Sequence, residues 1–359
     1  MDIIDYLKEN SNCSFKDKEF NECDALILSV VSYFPFHKLT NPKKSYNTNE
    51  LYERLNQYFS FGDDKRKQEL LLLMKLMCQS LRFKNAKFMH YKNEFDKDSY
   101  KQFRAVSVAL NDFIFLSFSG TDASKEGWIE DFNMSCMEIV PAEAESERYM
   151  KEVSFYHPFR KIYCGGHSKG GRLAIRAAKS IKNIDKLLGV YSFDGPNFKD
   201  NFYDVKFDLI KDKIHYYAPY ESVFGRLINN IHDPEIISST ENFILQHSYF
   251  SWEIDEDSFV RVEDFSKRST YFVTTVNSII NEYDDDKKKV IVNALTDILD
   301  ELEIEYFTGP DLFATSLKKL IPMIPSLLKR VSKKDALMIV KVIGKIAASL
   351  ATNYLVNRH

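Results

Sequence analysis

The sequence predicts an α/β fold: a mainly parallel central sheet with helices on both faces, followed by a helical extension. Three observations predict it. Strand-like apolar runs at residues 113–118, 187–193 and 213–218 are separated by helix-like and polar segments, and strand, helix, strand at that spacing gives parallel pairing. A short strand pattern, Lys161-Ile-Tyr-Cys, runs into glycines and then into a helix pattern. After about Asp264 the strand patterns stop and helical signals take over.

Taken in order, the part up to about Phe103 reads as helical. Cys23 to Tyr33 has apolar residues at helical spacing, and Glu69 to Leu81 is rich in Leu and Met. From Phe103 the pattern alternates through Leu110. Asn111-Asp112 then supplies a turn, and Phe113 to Phe118 is continuously apolar, so a hairpin leads into a buried strand. Gly171 to Asn183 reads as a helix, Leu187 to Phe193 and Lys213 to Ala218 as strands, and Glu235 to Ser239 as the last strand. Helices are expected over Ser266 to Tyr283, over Lys287 to Phe307 behind the acidic cap Asp284-Asp-Asp, over Asp311 to Arg330 and over Lys334 to Asn357. In the last of these, Leu337, Val340, Ile343, Ile346 and Leu350 share one apolar face, with Lys341 and Lys345 on the other side. The expected division is an α/β domain over residues 1–264 with a helical N-terminal segment, and a helical extension over residues 265–359.

Composition narrows the function classes. At 359 residues the chain has room for one large domain and a smaller appendage. The formal net charge is −3 and the lysines are dispersed among acids, so nothing draws the chain to nucleic acid or an anionic membrane. Five cysteines, at 13, 23, 78, 136 and 164, have neither metal-ligand nor redox spacing and point to a reducing compartment. The first ten residues lack a signal-peptide pattern, and the longest apolar stretch, Ala336 to Leu355, is broken by Lys341 and Lys345. A cytoplasmic protein without stable membrane insertion is therefore expected. No phosphate loop, dinucleotide fingerprint or metal-spaced His/Cys cluster occurs, so neither cofactor nor metal is expected.

The residues that carry chemistry begin at Gly166-His-Ser-Lys-Gly170. A G-x-S-x-G sequence between a strand and a helix makes a sharp turn in which small residues two before and two after let the strand and helix approach. The serine, here Ser168, projects from the bend, and the following N–H, that of Lys169, points to where an oxyanion forms. Upstream, Phe118-Ser-Gly-Thr-Asp122 ends the buried strand. It offers Thr121 as the second oxyanion donor required from an earlier loop. The competing structural readings are an ordinary glycine-rich turn and a strand end with Asp122 as a helix cap.

Ser117-Phe-Ser-Gly-Thr-Asp followed by Gly127-Trp-Ile-Glu-Asp-Phe resembles the oxyanion and lid segment of the class 3 (fungal-type) lipases. Gly165-Gly-His-Ser-Lys-Gly-Gly-Arg-Leu-Ala is similar to their nucleophile elbow, and Tyr191-Ser-Phe-Asp-Gly-Pro-Asn-Phe to their next strand. A bacterial lipase-3-like family of unknown function is closer still, sharing G-G-H-S-K-G-G, F-D-G-P and Q-H-x-x-F-S-W, seen here from Gly165, Phe193 and Gln246. The resemblance covers about residues 20 to 265 and implies an α/β-hydrolase fold. Two positions depart from it: Ser119 stands where the lipases usually have Arg, and Arg172 where the bacterial family more often has Asn.

A triad of this type needs a histidine and an acid downstream of the serine, in the order Ser, acid, His. His215 lies in a strand pattern and reads as packed there. His232 precedes Asp-Pro in a loop pattern, while His247 follows the last strand and matches the resembled family's histidine segment. His247 is therefore the expected base. The family's F-D-G-P includes Asp194 as the acid, and Glu221, after the next strand, is held in reserve, since that is where the class 3 lipases place theirs. Trp128 and Asp131 are expected to position the segment over the site, and His167 receives no proton-transfer role. The implied function is hydrolysis of a carboxylic ester, a small-molecule or lipid ester included, through an acyl-enzyme. Two alternatives stay open: a non-catalytic hydrolase fold serving as a binding or scaffolding module, and a thioesterase or amidase using the same three groups.

Overall fold

The computed structural model describes residues 1–59, 65–122, 124–228, 233–301 and 332–356. Its centre is an eight-stranded sheet in the order β1 to β8. The strands are β1 (Tyr46–Asn47), β2 (Lys87–Asp96), β3 (Lys101–Ala109), β4 (Phe113–Phe118), β5 (Lys161–His167), β6 (Leu187–Phe193), β7 (Ile214–Pro219) and β8 (Glu235–Ile237). Pairings from β1 to β4 are antiparallel and those from β4 to β8 are parallel. A two-stranded ribbon, β9 (Ile254–Asp255) and β10 (Ser258–Phe259), follows. β4 is buried at every position, as its unbroken apolar sequence requires of a strand covered on both faces.

Sequential strand order with right-handed crossovers puts the crossover helices on one face of the sheet. That face carries α7 (Pro141–Tyr156) and α8 (Lys169–Lys179), and its core includes Ile114, Leu116, Met150, Leu173 and Val190. The opposite face has to be covered from outside the parallel unit, and the N-terminal segment does this with α1 (Ile3–Glu9), α2 (Glu22–Val30), α3 (Phe36–Leu39), α4 (Thr48–Phe59) and α5 (Lys65–Gln79). Asp24 on α2 and Arg82 form a fully buried ion pair that ties this layer together. α6 (Lys125–Asn133) links β4 to α7, and α9 (Val205–Asp208) lies between β6 and β7. The sheet is mainly parallel with helices on both faces, the α/β-hydrolase arrangement, and a helical C-terminal region follows it.

Several sequence expectations shift here. The region before Phe103 also contains a ten-residue strand, β2, whose alternation is broken by a register shift between Met89 and Lys92. The serine helix starts at Lys169 rather than Gly171. Beyond the sheet come α10 (Lys267–Glu282), α11 (Asp285–Glu301) and α12 (Lys333–Val356), while the expected helix from 311 to 330 and residues 302–307 of its predecessor lie outside the described residues. α12 does not turn Leu337 and Val340 inward: they are 72% and 41% exposed, and Met338, Ile339 and Val342 are buried instead. Lys341 and Lys345 both form ion pairs with Glu282 of α10, and the side chains of Ile343, Ile346 and Leu350, the rest of the expected apolar face, lie outside the described residues. The expected division at residue 264 falls just before α10, which packs on the sheet-end loops through Val223, Phe272 and Val273.

Candidate active site

The carboxyl ends of β4 to β7 converge on one edge of the sheet, where α/β folds bind their ligands. β4 delivers Ser119, Gly120 and Thr121, β5 delivers Ser168, β6 delivers Asp194, and β7 delivers Glu221.

Ser168 sits between strand and helix at φ 59° and ψ −134°, a left-handed conformation that costs a non-glycine residue about 1–3 kcal/mol. The surrounding structure holds it there: Ser168 N–H donates to Phe193 O at 2.8 Å, and Gly171 N–H donates to Ser168 O at 2.9 Å. The flanking glycines are sterically required. A Cβ on Gly166 would fall 2.3 Å from the Gly170 carbonyl carbon, and one on Gly170 would fall 2.1 Å from Phe118 O. Lys169 opens α8, so its N–H belongs to the first-turn donors that have no intrahelical acceptor.

His247 ends the short 3₁₀ turn Phe243–His247. Its Nδ1 lies 2.6 Å from Asp194 Oδ2, and the other oxygen of that carboxylate accepts from Ser222 Oγ at 2.5 Å and Gly225 N–H at 3.0 Å. A carboxylate at Nδ1 assigns the ring proton to that nitrogen and leaves Nε2 as the acceptor in the neutral ring. Asp194 is 1% exposed and the His247 side chain 22%, so the acid is sealed while the imidazole can be reached. Asp194 is itself at φ 51° and Phe243 at φ 49°, which concentrates backbone strain around these groups.

Glu221 makes different contacts. Its carboxylate accepts from Phe243 N–H at 2.6 Å and Ser266 Oγ at 3.2 Å, and its own N–H donates to Gln246 Oε1 at 2.8 Å. It ties β7, the loop carrying His247 and the start of α10 to one another. His215 stacks on Tyr191 within the sheet, with ring centroids 4.8 Å apart, and His232 lies outside the described residues.

Gly120 runs against the elbow, its hypothetical Cβ being 3.1 Å from Ser168 Cβ. Next to it, Thr121 Oγ1 donates to Asp131 Oδ2 at 2.5 Å, so α6 holds the strand end through its own carboxylate. The Oδ1 of Asp131 is buried with no hydrogen-bond partner among the described residues, and burial raises this carboxyl to a pKa of about 6. Trp128 is half-buried on the same helix, with its ring 6.3 Å from that of Phe132. The Lys169 side chain turns away from the serine into the protein. Its Nζ donates to Gln102 O at 3.0 Å and to Glu130 Oε2 at 2.9 Å, a buried ion pair beneath α6.

Sequence reasoning missed His167. Its Nε2 lies 2.7 Å from the main-chain oxygen of His247, and Tyr33 Oη lies 3.0 Å from its Nδ1. The carbonyl can only accept, so Nε2 carries the proton and Nδ1 accepts from the tyrosine. Burial, and then the neighbouring His247, push the His167 pKa well below the usual value and keep it neutral. The partners come from residues 33 and 247, so no local pattern around the elbow signals them.

The likeness to solved structures is distant. A lipase–propeptide complex from Rhizomucor miehei, as a deletion mutant, is 14% identical, with 60% of this chain and 81% of that chain covered and a TM-score of 0.36. Lipase II from Rhizopus niveus is 13% identical, with 55% and 84% covered and a TM-score of 0.36. A lipase from Rhizopus microsporus var. chinensis is 12% identical, with 63% and 84% covered and a TM-score of 0.35. No curated protein matches the sequence. A family model described as Mbeg1-like matches residues 77–297, more than half of the chain, and this stretch holds the elbow, the Asp194–His247 pair and the α6 segment: the chain belongs to the Mbeg1-like family.

Proposed function

We propose that the protein is a serine hydrolase of carboxylic esters, with Ser168 as nucleophile, His247 as general base and Asp194 as the orienting acid. The observation that carries this reading is the 2.6 Å contact between His247 Nδ1 and a sealed Asp194 carboxylate, made beside a strained, half-buried serine. The residue before the serine anchors the base from its other side, with the His167 and His247 rings 4.4 Å apart.

In this mechanism Ser168 Oγ attacks the acyl carbonyl carbon while His247 Nε2 takes its proton. Asp194 stabilises the resulting imidazolium without accepting the proton. The N–H groups of Thr121 and Lys169 hold the tetrahedral oxyanion, and donors fixed by a helix start and a braced loop need little reorganisation. His247 then protonates the leaving alcohol. Water, activated by the same imidazole, attacks the acyl carbonyl and releases the acid from Ser168. Glu221 organises the base loop instead of pairing with the base, and Trp128 and Asp131 position the segment over the site. The resemblance of the motifs to class 3 lipases favours a lipid or lysophospholipid ester.

A cytoplasmic setting is proposed with it: all five cysteines are free, and Cys23, Cys136 and Cys164 are buried. No helix among the described residues is long and apolar enough to cross a membrane.

The test is hydrolysis of a matched ester, thioester and amide sharing one acyl group, by the native chain and by Ser168→Ala. The proposal expects serine-dependent turnover that is fastest on the ester. Preference for the thioester or amide would reassign the substrate class, and no serine-dependent turnover on any of them would favour the scaffolding reading.

A further inference from the structure

At the opposite end of the sheet from Ser168, where β2 begins and α7 ends, two histidines face each other. His90 Nε2 and His157 Nε2 are 2.9 Å apart, with the ring planes at 75°. The backbone is bent to make this contact. Met89 pairs with Ser107 and Lys92 with Ala105, so two residues of β2 oppose one of β3, a β-bulge of the kind that re-aims a side chain. His90 within that bulge has φ 52°, a left-handed conformation costing an L-residue about 1–2 kcal/mol. Tyr156 stacks on the His90 ring at 5.6 Å and 9°, fixing its plane.

With no metal present, one Nε2–H donates to the other Nε2 lone pair. Moving that proton to its own ring's Nδ1 frees both lone pairs to converge on one ion, and no proton has to leave the protein.

Geometry narrows the choice of ion. Two metal–nitrogen bonds of about 2.0–2.1 Å meeting at a right angle place the nitrogens about 2.9 Å apart, whereas a tetrahedral angle needs about 3.3 Å. The observed separation fits adjacent corners of a square-planar or an octahedral ion better than a tetrahedral one, and copper(II) heads the general affinity order. No group of three or more ligating side chains occurs among the described residues, so water has to fill the remaining positions. We propose that His90 and His157 form a two-imidazole site for a divalent late transition-metal ion, copper(II) ahead of nickel(II) and zinc(II), bridging the β2 bulge to the end of α7. Nothing in the ester-hydrolase reading depends on this site.

The experiment is a titration of the untagged full-length chain with copper(II), followed by calorimetry and electron paramagnetic resonance. The expected result is one saturable equivalent per chain, with hyperfine coupling from two imidazole nitrogens and a rise in Tm on binding. His90→Ala and His157→Ala should each abolish that equivalent. If His90→Ala folds poorly, His90→Asn keeps a residue tolerant of the left-handed backbone and removes the imidazole, and it should abolish binding equally. No saturable equivalent in the native chain, or an equivalent that survives loss of either histidine, would overturn the proposal.

Discussion

His167 Nε2 donates a 2.7 Å hydrogen bond to the main-chain carbonyl of His247, across 80 residues of sequence. The side chain next to the proposed nucleophile thus fixes the backbone of the proposed base. Asp194 fixes the base's ring from the other side. On this account the elbow and the base loop move as one unit.

That anchor should be visible in both kinetics and stability. A buried hydrogen bond lost from one side leaves the other partner unsatisfied, at a cost of about 1–3 kcal/mol. His167→Phe is expected to lower Tm and to reduce kcat about tenfold, the equivalent of about 1.4 kcal/mol, while KM changes little. Tyr33→Phe, which removes the hydroxyl's contacts with Nδ1 and with the His167 main-chain oxygen but leaves the Nε2 anchor, should have a smaller effect in the same direction. Denaturant unfolding with steady-state kinetics checks both.

The neutral state of His167 also predicts an acid-side instability. Its folded-state pKa lies well below 6.5, so below about pH 6.5 the unfolded chain takes up a proton that the folded chain refuses. Stability contributed by the neutral ring is present above that pH and is lost as pH falls, by about 1.4 kcal/mol per pH unit for one proton. The stability difference between the native chain and His167→Gln should therefore shrink from pH 7 to pH 5. Urea midpoints across that range measure it.

Asp131 has the opposite sign. Its carboxyl is raised from 3.8 to about 6 by burial, so between those values the folded state holds the extra proton and stability falls as pH rises. Asp131→Asn can still accept the Thr121 hydroxyl and carries no charge. Its stability relative to the native chain should improve steadily from pH 4 to pH 6 and level off above. Asp131→Ala, which removes the Thr121 anchor, should instead lower kcat/KM about tenfold if that anchor is worth about 1.4 kcal/mol.

The two carboxylates near the base loop should separate cleanly. Asp194→Asn is expected to reduce kcat by roughly three to four orders of magnitude, the scale seen when the group setting the imidazole tautomer is lost. Glu221→Gln removes a carboxylate that contacts Phe243 N–H and Ser266 Oγ, so its main effect should be on Tm. Parallel measurement of kcat and Tm for both variants distinguishes the roles.

Much of this was legible in the sequence, for physical reasons that differ by element. β4 and β6 are continuous apolar runs, and the elbow is legible because only glycine fits at Gly166 and Gly170. β2 was not legible: its bulge at Met89–Lys92 breaks the alternation that marks a strand. Helix α7 was obscured because Glu143 and Glu145 are buried in ion pairs with Arg172 and Arg148. The buried bond from the Lys169 side chain to Glu130, 39 residues away, had no local signal. In α12 Leu337 and Val340 are exposed, and the pairing of Lys341 and Lys345 with Glu282, some sixty residues away, had no local signal. Pairings between distant residues leave no local period to read.

The most direct measurement is labelling with a fluorophosphonate probe, which reports an activated serine whatever the natural substrate. The native chain should label at Ser168, with labelling abolished in Ser168→Ala and severely reduced in His247→Ala and Asp194→Asn, all three remaining folded. Labelling that persists in Ser168→Ala, or a folded native chain whose Ser168 stays unlabelled, would contradict the assignment of Ser168, His247 and Asp194 as a catalytic triad.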